Sequence, residues 1–272
     1  MSFETLQVER ADNGITQVTL NRPDKRNAIN AQMMDELVQL FTELAAEETT
    51  RVVVLTGSGR TFCSGGDLQW MQLQARNDRN VKIAEAKRLA DMLQVLDSFP
   101  KPLIGRVNGP AFGGGVGLLC VCDIVVANDE SRFALTETKL GLIPATIGPY
   151  VVRRIGEGNA RQMFMSGKSL SAQDALRMGI VSYTVNIRQL RDKVLEEAEA
   201  FLKCMPGAVS EAKALCQHLA RSPFEGQVEH TLEKLADRWE SEEAQKAITQ
   251  FFARLAVKDE ETQKQVVQDA PE

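Results

Sequence analysis

Two glycine-bearing turns and one glutamate carry the residue types from which a site for oxyanion stabilisation and proton transfer can be assembled. The first turn, Phe62-Cys63-Ser64-Gly65-Gly66-Asp67-Leu68, follows the apolar run Val52–Thr56. The second, Asn108-Gly109-Pro110-Ala111-Phe112-Gly113-Gly114-Gly115, follows Leu103–Val107 and precedes a helical stretch. Glycine lets a backbone approach a ligand closely and adopt dihedrals closed to other residues. A strand-to-helix turn also aims free N–H groups at one point. Two such turns at neighbouring strand ends can each offer an N–H to a developing oxyanion; either one alone is equally a tight turn of structural use. The carboxylate is Glu137, set between Phe133 and Pro144 in an otherwise apolar stretch. Desolvated there, its pKa would rise toward the range useful for proton transfer. Alternatively, Glu137 lies on a solvated edge or pairs with Lys139.

Other chemistries fit less well. Gly113-Gly114-Gly115-Val116-Gly117 lacks the GxGxxG spacing and lies outside the first β-α-β unit, and no GxxxxGK[ST] loop is present. The two histidines, His218 and His230, both fall in a helical region, which argues against a His-rich metal site and a Ser-His-Asp triad. We expect no metal and no redox cofactor. The 272 residues are 43% hydrophobic and 25% charged, enough to bury a sizeable core. A net charge of −5 argues against a dedicated nucleic-acid binder. No apolar run reaches membrane-span length, and Met1-Ser2-Phe3-Glu4 does not read as the start of a secretory leader. Five cysteines form no CxxC pair, so a cytoplasmic setting with reduced thiols is expected.

These residues need elements to hold them. Thr5–Val8 and Ile15–Leu20 alternate in polarity around Asn13-Gly14, a hairpin pattern. Met33, Met34, Leu37, Leu40, Phe41 and Leu44 recur at helical spacing, and a second helix is expected over about 81–96. Val52–Leu55, Leu103–Val107 and Ile124–Ala127 read as strands covered on both faces. From about residue 145 onward the pattern is mainly helical, ending in a stretch with Leu232, Leu235, Trp239, Ala244, Ile248, Phe251, Phe252 and Leu255. That apolar face would pack on the chain's own core or on another subunit.

The order and spacing of Leu20–Ile29, Phe62–Leu68, Asn108–Gly117, Cys122-Asp123-Ile124 and Phe133–Pro144 resemble the crotonase (enoyl-CoA hydratase/isomerase) superfamily. The resemblance implies an α/β fold, a spiral of β-β-α turns followed by a helical trimerisation region. On that basis residues 1–190 are expected to form the acyl-CoA-binding core, 191–257 the helical oligomerisation region, and 258–272 a polar tail. It implies an acyl-CoA thioester substrate, with coenzyme A part of the substrate and not a cofactor. It also implies a homotrimer or dimer of trimers that engages neither nucleic acid nor membrane. By motif position, the backbone N–H groups of Gly66 and Gly114 would form the oxyanion hole, with Glu137 as acid/base. Lys25 and Arg26 resemble the position that reaches the nucleotide end of CoA; either is equally a solvated loop charge. Ser64, Gly65, Asp67, Leu68 and Gly113 would border the substrate.

Hydratases of this superfamily commonly carry a second glutamate, at the position held here by Gly117. Three activities therefore stay open: hydration with Glu137 acting alone, Δ3,Δ2-enoyl-CoA isomerisation, and CoA-thioester binding with little turnover. A finer resemblance, through Gly113–Leu118, Gly65–Met71, Leu140–Ala145 and Pro149–Val152, is to bacterial methylglutaconyl-CoA hydratases. It implies a branched or dicarboxylic acyl group such as 3-methylglutaconyl. A distal carboxylate calls for a cation facing the pocket; Arg153 and Arg154 are candidates, equally placed as surface charges on a helix.

Overall fold

Short apolar strands buried at nearly every position build the centre of the molecule, seen here in a computed structural model that describes residues 3–221, 227–250 and 253. The hairpin pairs β1 (Leu6–Arg10) with β2 (Ile15–Leu20), antiparallel, with Val8 opposite Val18. Every later strand of the large sheet runs parallel: β3 (Val52–Gly57), β4 (Leu103–Val107), β6 (Ile124–Asn128) and β9 (Tyr183–Val185). Their side chains divide by parity, as the two-residue period of a strand demands. Val53, Leu55, Leu103 and Val125 enter the main core, whereas Val52, Val54, Ile104 and Val126 enter a second cluster on the opposite face. The all-apolar runs are thus strands buried on both sides.

Helices cover both faces. Asn30 caps α1 (Ala31–Ala46) by accepting the Met33 N–H at 3.0 Å, and the helix buries the six residues that recur at helical spacing. It packs against α3 (Arg79–Asp97). Between β3 and α3 lies α2 (Leu68–Arg76), which buries no residue. It has no apolar face to announce it in the sequence.

A second, smaller sheet joins β5 (Ala111–Phe112), β7 (Arg132–Ala134) and β8 (Leu170–Ser171). Isolated parallel bridges extend it through Cys63 to Ala111 and from Ile29 to Gly66. Successive turns of chain therefore place one strand in the large sheet and one short strand in the small one. α4 (Gly114–Cys120) connects β5 to β6. Farther on come α5 (Gly148–Ser166), broken at Gly156 with φ 75°, and α6 (Ala172–Met178).

The chain divides into two units, 1–202 and 203–272. This corrects the boundary expected at residue 190. α7 (Leu190–Leu202) belongs with the first unit, because Leu190, Val194 and Ala198 bury against Val52, Val54, Ile104 and Val126. An amphipathic helix has the same pattern whether it covers its own sheet or another subunit. The second unit contains α8 (Pro206–Arg221), α9 (Gln227–Glu240) and helical residues 242–250. The polar tail at 258–272 and the apolar Phe251, Phe252 and Leu255 lie outside the described residues.

Candidate active site

The register of the small sheet brings the three reactive positions together. Cys63 bridges Ala111, and Ala111 pairs with Phe133, all in parallel. Three residues beyond Cys63 is Gly66, and three beyond Ala111 is Gly114; Glu137 is four beyond Phe133. Parallel strands advance in one direction, so offsets of three, three and four residues leave all three at the same edge.

Backbone hydrogen bonding explains why two of these positions offer donors. The Ile29 N–H donates to the Gly65 carbonyl at 2.7 Å, and the Asp67 N–H donates to the Ile29 carbonyl at 2.9 Å. Both bonds step around Gly66. Gly114 is the first residue of α4, and the first N–H groups of a helix have no partner within it. The Pro110 carbonyl, four residues earlier, already accepts from Phe62 and Cys63. Among the described residues, neither the Gly66 nor the Gly114 N–H has an acceptor.

Glu137 opens a 3-10 turn over Glu137–Leu140 that ends at Gly141 in the left-handed conformation. Its carboxyl lies over the second glycine turn: Oε1 is 3.2 Å from where a Cβ on Gly113 would stand. Gly113 has φ 48°, so the turn excludes a side chain by conformation as well as by space. Oε2 is buried and unpartnered. Burial pushes the carboxyl above its ordinary pKa, against a smaller opposing effect from a backbone hydrogen bond at Glu137 itself. No ion pair joins it to Lys139 among the described residues, and burial of Oε2 sets this oxygen away from a solvated edge.

Gly66, Gly114 and Glu137 line one cavity of about 220 Å³, whose other walls include Ile29, Met34, Trp70, Met71, Leu89, Leu142, Ile143 and Ile147. Lys25, Arg26, Ser64, Asp67 and Leu68 line a second cavity of about 600 Å³, with Asp24, Ala28, Gln69 and Phe112. Gly65 and Gly113 line neither and instead shape the two turns. The loop carrying Lys25 and Arg26 is held from below by buried Asn27. Its side chain accepts from the Arg22 N–H at 2.9 Å and donates to the Ser58 and Thr61 carbonyls at 2.9 and 2.8 Å. Asp67 borders the second cavity, but its carboxylate is already committed. It caps α2 through the Gln69 and Trp70 N–H groups and pairs with Arg22 at 3.0 Å. Burial acts to raise its pKa, and the donors from Trp70, Arg22 and Gln69 outweigh that and lower it.

Other nucleophiles are set aside by their surroundings. Burial pushes the Cys63 thiol up to about 12, leaving it no thiolate character at neutral pH. His218 and His230 stack on one another with centroids 3.9 Å apart, and neither lines either cavity.

Residues 10–261 match the model of a family described as enoyl-CoA hydratase/isomerase. The chain belongs to this family. An enoyl-CoA hydratase of Alternaria alternata, AKT6-1, is 35% identical over 217 residues, 80% of this chain and 70% of that protein. The crystal structure of an enoyl-CoA hydratase from Shewanella pealeana superposes with a TM-score of 0.89 at 35% identity, covering 93% of this chain and 94% of the other. That of an enoyl-CoA hydratase from Mycobacterium smegmatis gives 0.87 at 30% identity, covering 92% and 96%. The fold is therefore crotonase-type, and the family acts on acyl-CoA substrates.

Within this family frame, the position of the second glutamate takes on a physical description. A Cβ on Gly117 would lie 2.5 Å from Ile147 Cγ2 and 3.1 Å from its Cβ. Ile147 is buried and lines the same cavity as Glu137. The space where a longer side chain would start is taken by a hydrocarbon. Arg153 and Arg154 line neither cavity: Arg153 pairs with Asp97 beside the Tyr150 ring, and Arg154 donates to the Gly179 and Cys122 carbonyls at 2.9 and 2.6 Å. Sequence reasoning missed the cavity roles of Met34 and Ile147. Their apolar side chains signal burial alone, and only the fold shows what they are buried beside.

Proposed function

We propose that the chain is an enoyl-CoA hydratase that adds water across the α,β double bond of an acyl-CoA thioester, with Glu137 as its acid/base. One observation carries this reading: a buried, unpartnered carboxylate oxygen shares a cavity with two backbone N–H groups that lack acceptors. The thioester oxygen would accept from Gly66 and Gly114. Glu137 would take a proton from water as the water oxygen bonds to the β-carbon. Negative charge then collects on the thioester oxygen, where losing one of the two donors would cost about 3 kcal/mol of transition-state stabilisation. The proton on Glu137 passes to the α-carbon on the same face, giving the 3-hydroxyacyl product and restoring the carboxylate.

The finer substrate reading, a branched or dicarboxylic acyl group such as 3-methylglutaconyl, rests on motif resemblance. The cavity wall supports its branched half, since Ile29, Met34, Leu89 and Ile147 suit hydrocarbon. Glu137 is the one ionisable residue among the described residues lining it. Lys25 and Arg26, exposed beside the larger cavity, would meet the phosphates of CoA. Association into a trimer or dimer of trimers draws support from the apolar stripe Leu232, Leu235 and Trp239 on α9, all exposed on the single chain.

A second reading is favoured by the single carboxylate and by Ile147 over Gly117. Glu137 could move a proton from the α- to the γ-carbon through the same enolate, isomerising a Δ3-enoyl-CoA without water. Incubation in oxygen-18 water with crotonyl-, 3-methylglutaconyl-, isohexenylglutaconyl- and 3-hexenoyl-CoA separates the two. Label in a 3-hydroxyacyl product is the expected result. A shifted double bond without label would replace hydration by isomerisation, and tight binding with no product would make the chain a CoA-thioester binder.

A further inference from the structure

The wall of the smaller cavity beside Gly66 is formed by a lightly held helix, in which Trp70 packs half-buried against the main core. α2 buries none of its residues, and Leu68 and Leu73 point into solvent. Its start is fixed by the Asp67 cap. Beyond that, the anchoring polar contact runs from Trp70, whose indole Nε1–H donates to Glu85 Oε2 on α3 at 2.8 Å. Glu85 is itself held: its Oε1 accepts from Arg88 at 2.9 Å. Arg88 reaches on to Asp35 of α1 at 2.6 Å, so the contact is tied to a helix with six buried apolar residues. The other side of the indole meets the reactive turn, with Cζ3 3.7 Å from where a Cβ on Gly66 would stand. Leu89, one helical turn after Glu85, lines the same cavity.

We infer that Glu85 is a positioning residue that sets acyl-chain selectivity by latching Trp70 as the far wall of the acyl cavity. A segment with few buried apolar contacts opens at low cost, so one strong hydrogen bond decides how long it stays closed. A hydrogen bond to a carboxylate is among the stronger ones, and the Arg88–Asp35 pair removes most of Glu85's freedom to leave. With the latch closed, the indole presents an apolar face to the end of an uncharged hydrocarbon chain. With it open, the wall retreats and a long or branched chain loses its packing. That the chain packed there is an acyl-CoA rests on the hydratase reading; the latch itself does not.

The test compares wild type with Glu85→Ala, Glu85→Gln, Trp70→Phe and the Trp70→Phe/Glu85→Ala double variant. Two readouts are taken: tryptophan emission, and KM and kcat across enoyl-CoAs of increasing chain length and branching. Trp239, the other tryptophan, is common to all five proteins. Glu85→Ala should shift emission to the red and raise KM progressively with chain length, by about tenfold for the longest, as expected for one lost hydrogen bond to a charged group. The acid limb of the kcat profile should not move. Glu85→Gln, whose amide oxygen still accepts the indole N–H, should restore both readouts toward wild type. In the Trp70→Phe background, Glu85→Ala should add nothing further. Unchanged emission in Glu85→Ala, a KM rise independent of chain length, or an undiminished effect in the Trp70→Phe background would each overturn the latch. If wild type hydrates none of the panel, the hydratase reading fails separately. Emission, together with the affinity for saturated acyl-CoAs of the same lengths, then decides the latch.

Discussion

At Glu137, burial and chemistry pull in opposite directions. The reaction needs a carboxylate to accept a proton from water, yet desolvation favours the protonated form and raises the pKa above its ordinary 4.5. The raised pKa makes Glu137 a stronger base toward water and brings it nearer the operating pH, where one group can act first as base and then as acid. Two consequences have defined signs. Activity should fall on the acid side at a pH above the ordinary carboxylate range, because the group must ionise before it can act. For stability, the folded state holds the proton more tightly than the unfolded chain does. Unfolding free energy therefore falls as pH rises through the window between the ordinary value and the raised one. Glu137→Gln removes both effects. It should lower kcat/KM by about 10²–10⁴-fold. At neutral pH it should unfold at higher urea than wild type, with the difference shrinking as the pH is brought below 4.5. Retained turnover in this variant would remove Glu137 from the chemistry. An unfolding difference that grows toward acid would reverse the sign argued here.

At the scale of elements, α2 depends on its first turn. Asp67 combines a helix cap with an ion pair to Arg22, both side chains largely buried at 7% and 17% exposure. Asp67→Ala loses the cap and leaves the Arg22 guanidinium without its carboxylate partner, a loss of about 3 kcal/mol. Asp67→Asn keeps a capping oxygen and should lose less. Urea midpoints for the two variants check the order, and equal losses would show that the cap contributes nothing. Because the donors around Asp67 depress its pKa, this stabilisation is present at neutral pH and is lost as pH falls through the depressed value. The same helix shows where the sequence stops being legible. β3, β4 and β6 could be read directly, since a strand buried on both faces is a near-continuous apolar run, broken here only by Arg106 within β4 and by polar residues at the ends of β3 and β6. α1 could be read because its buried stripe follows the helical period. α2 has no buried stripe, and β5 and β8, at two residues each, are too short to show a period. The pairing of Cys63 with Ala111, which sets Gly66 beside Gly114, is a long-range register that no local pattern encodes. Nor does anything in Gly117 or Ile147 alone reveal that one fills the space of the other.

For the whole molecule, apolar surface left over on the single chain bears on how copies associate. The first unit buries most of its apolar residues in two clusters that share a sheet, although Leu68, Leu73 and Ile143 are among those it leaves exposed. The second unit does not: α8 buries no residue, and Leu232, Leu235 and Trp239 of α9 are each more than half exposed on the single chain. Spacings of three and four residues place these three side chains on one face of the helix. A contiguous apolar stripe of this kind costs free energy in water and is ordinarily covered. A second and third copy of the same chain would cover it through closed cyclic symmetry, which agrees with the proposed trimer. Light scattering coupled to size exclusion should then return three or six times the chain mass. Leu235→Glu, which sets a charge in the middle of the stripe, should lower that mass. Its far-ultraviolet circular dichroism should stay close to wild type, because the side chain is more than half exposed on the single chain. A monomeric wild-type protein would leave the stripe without a partner of its own kind. An undiminished mass in Leu235→Glu would move the contact between copies to another surface.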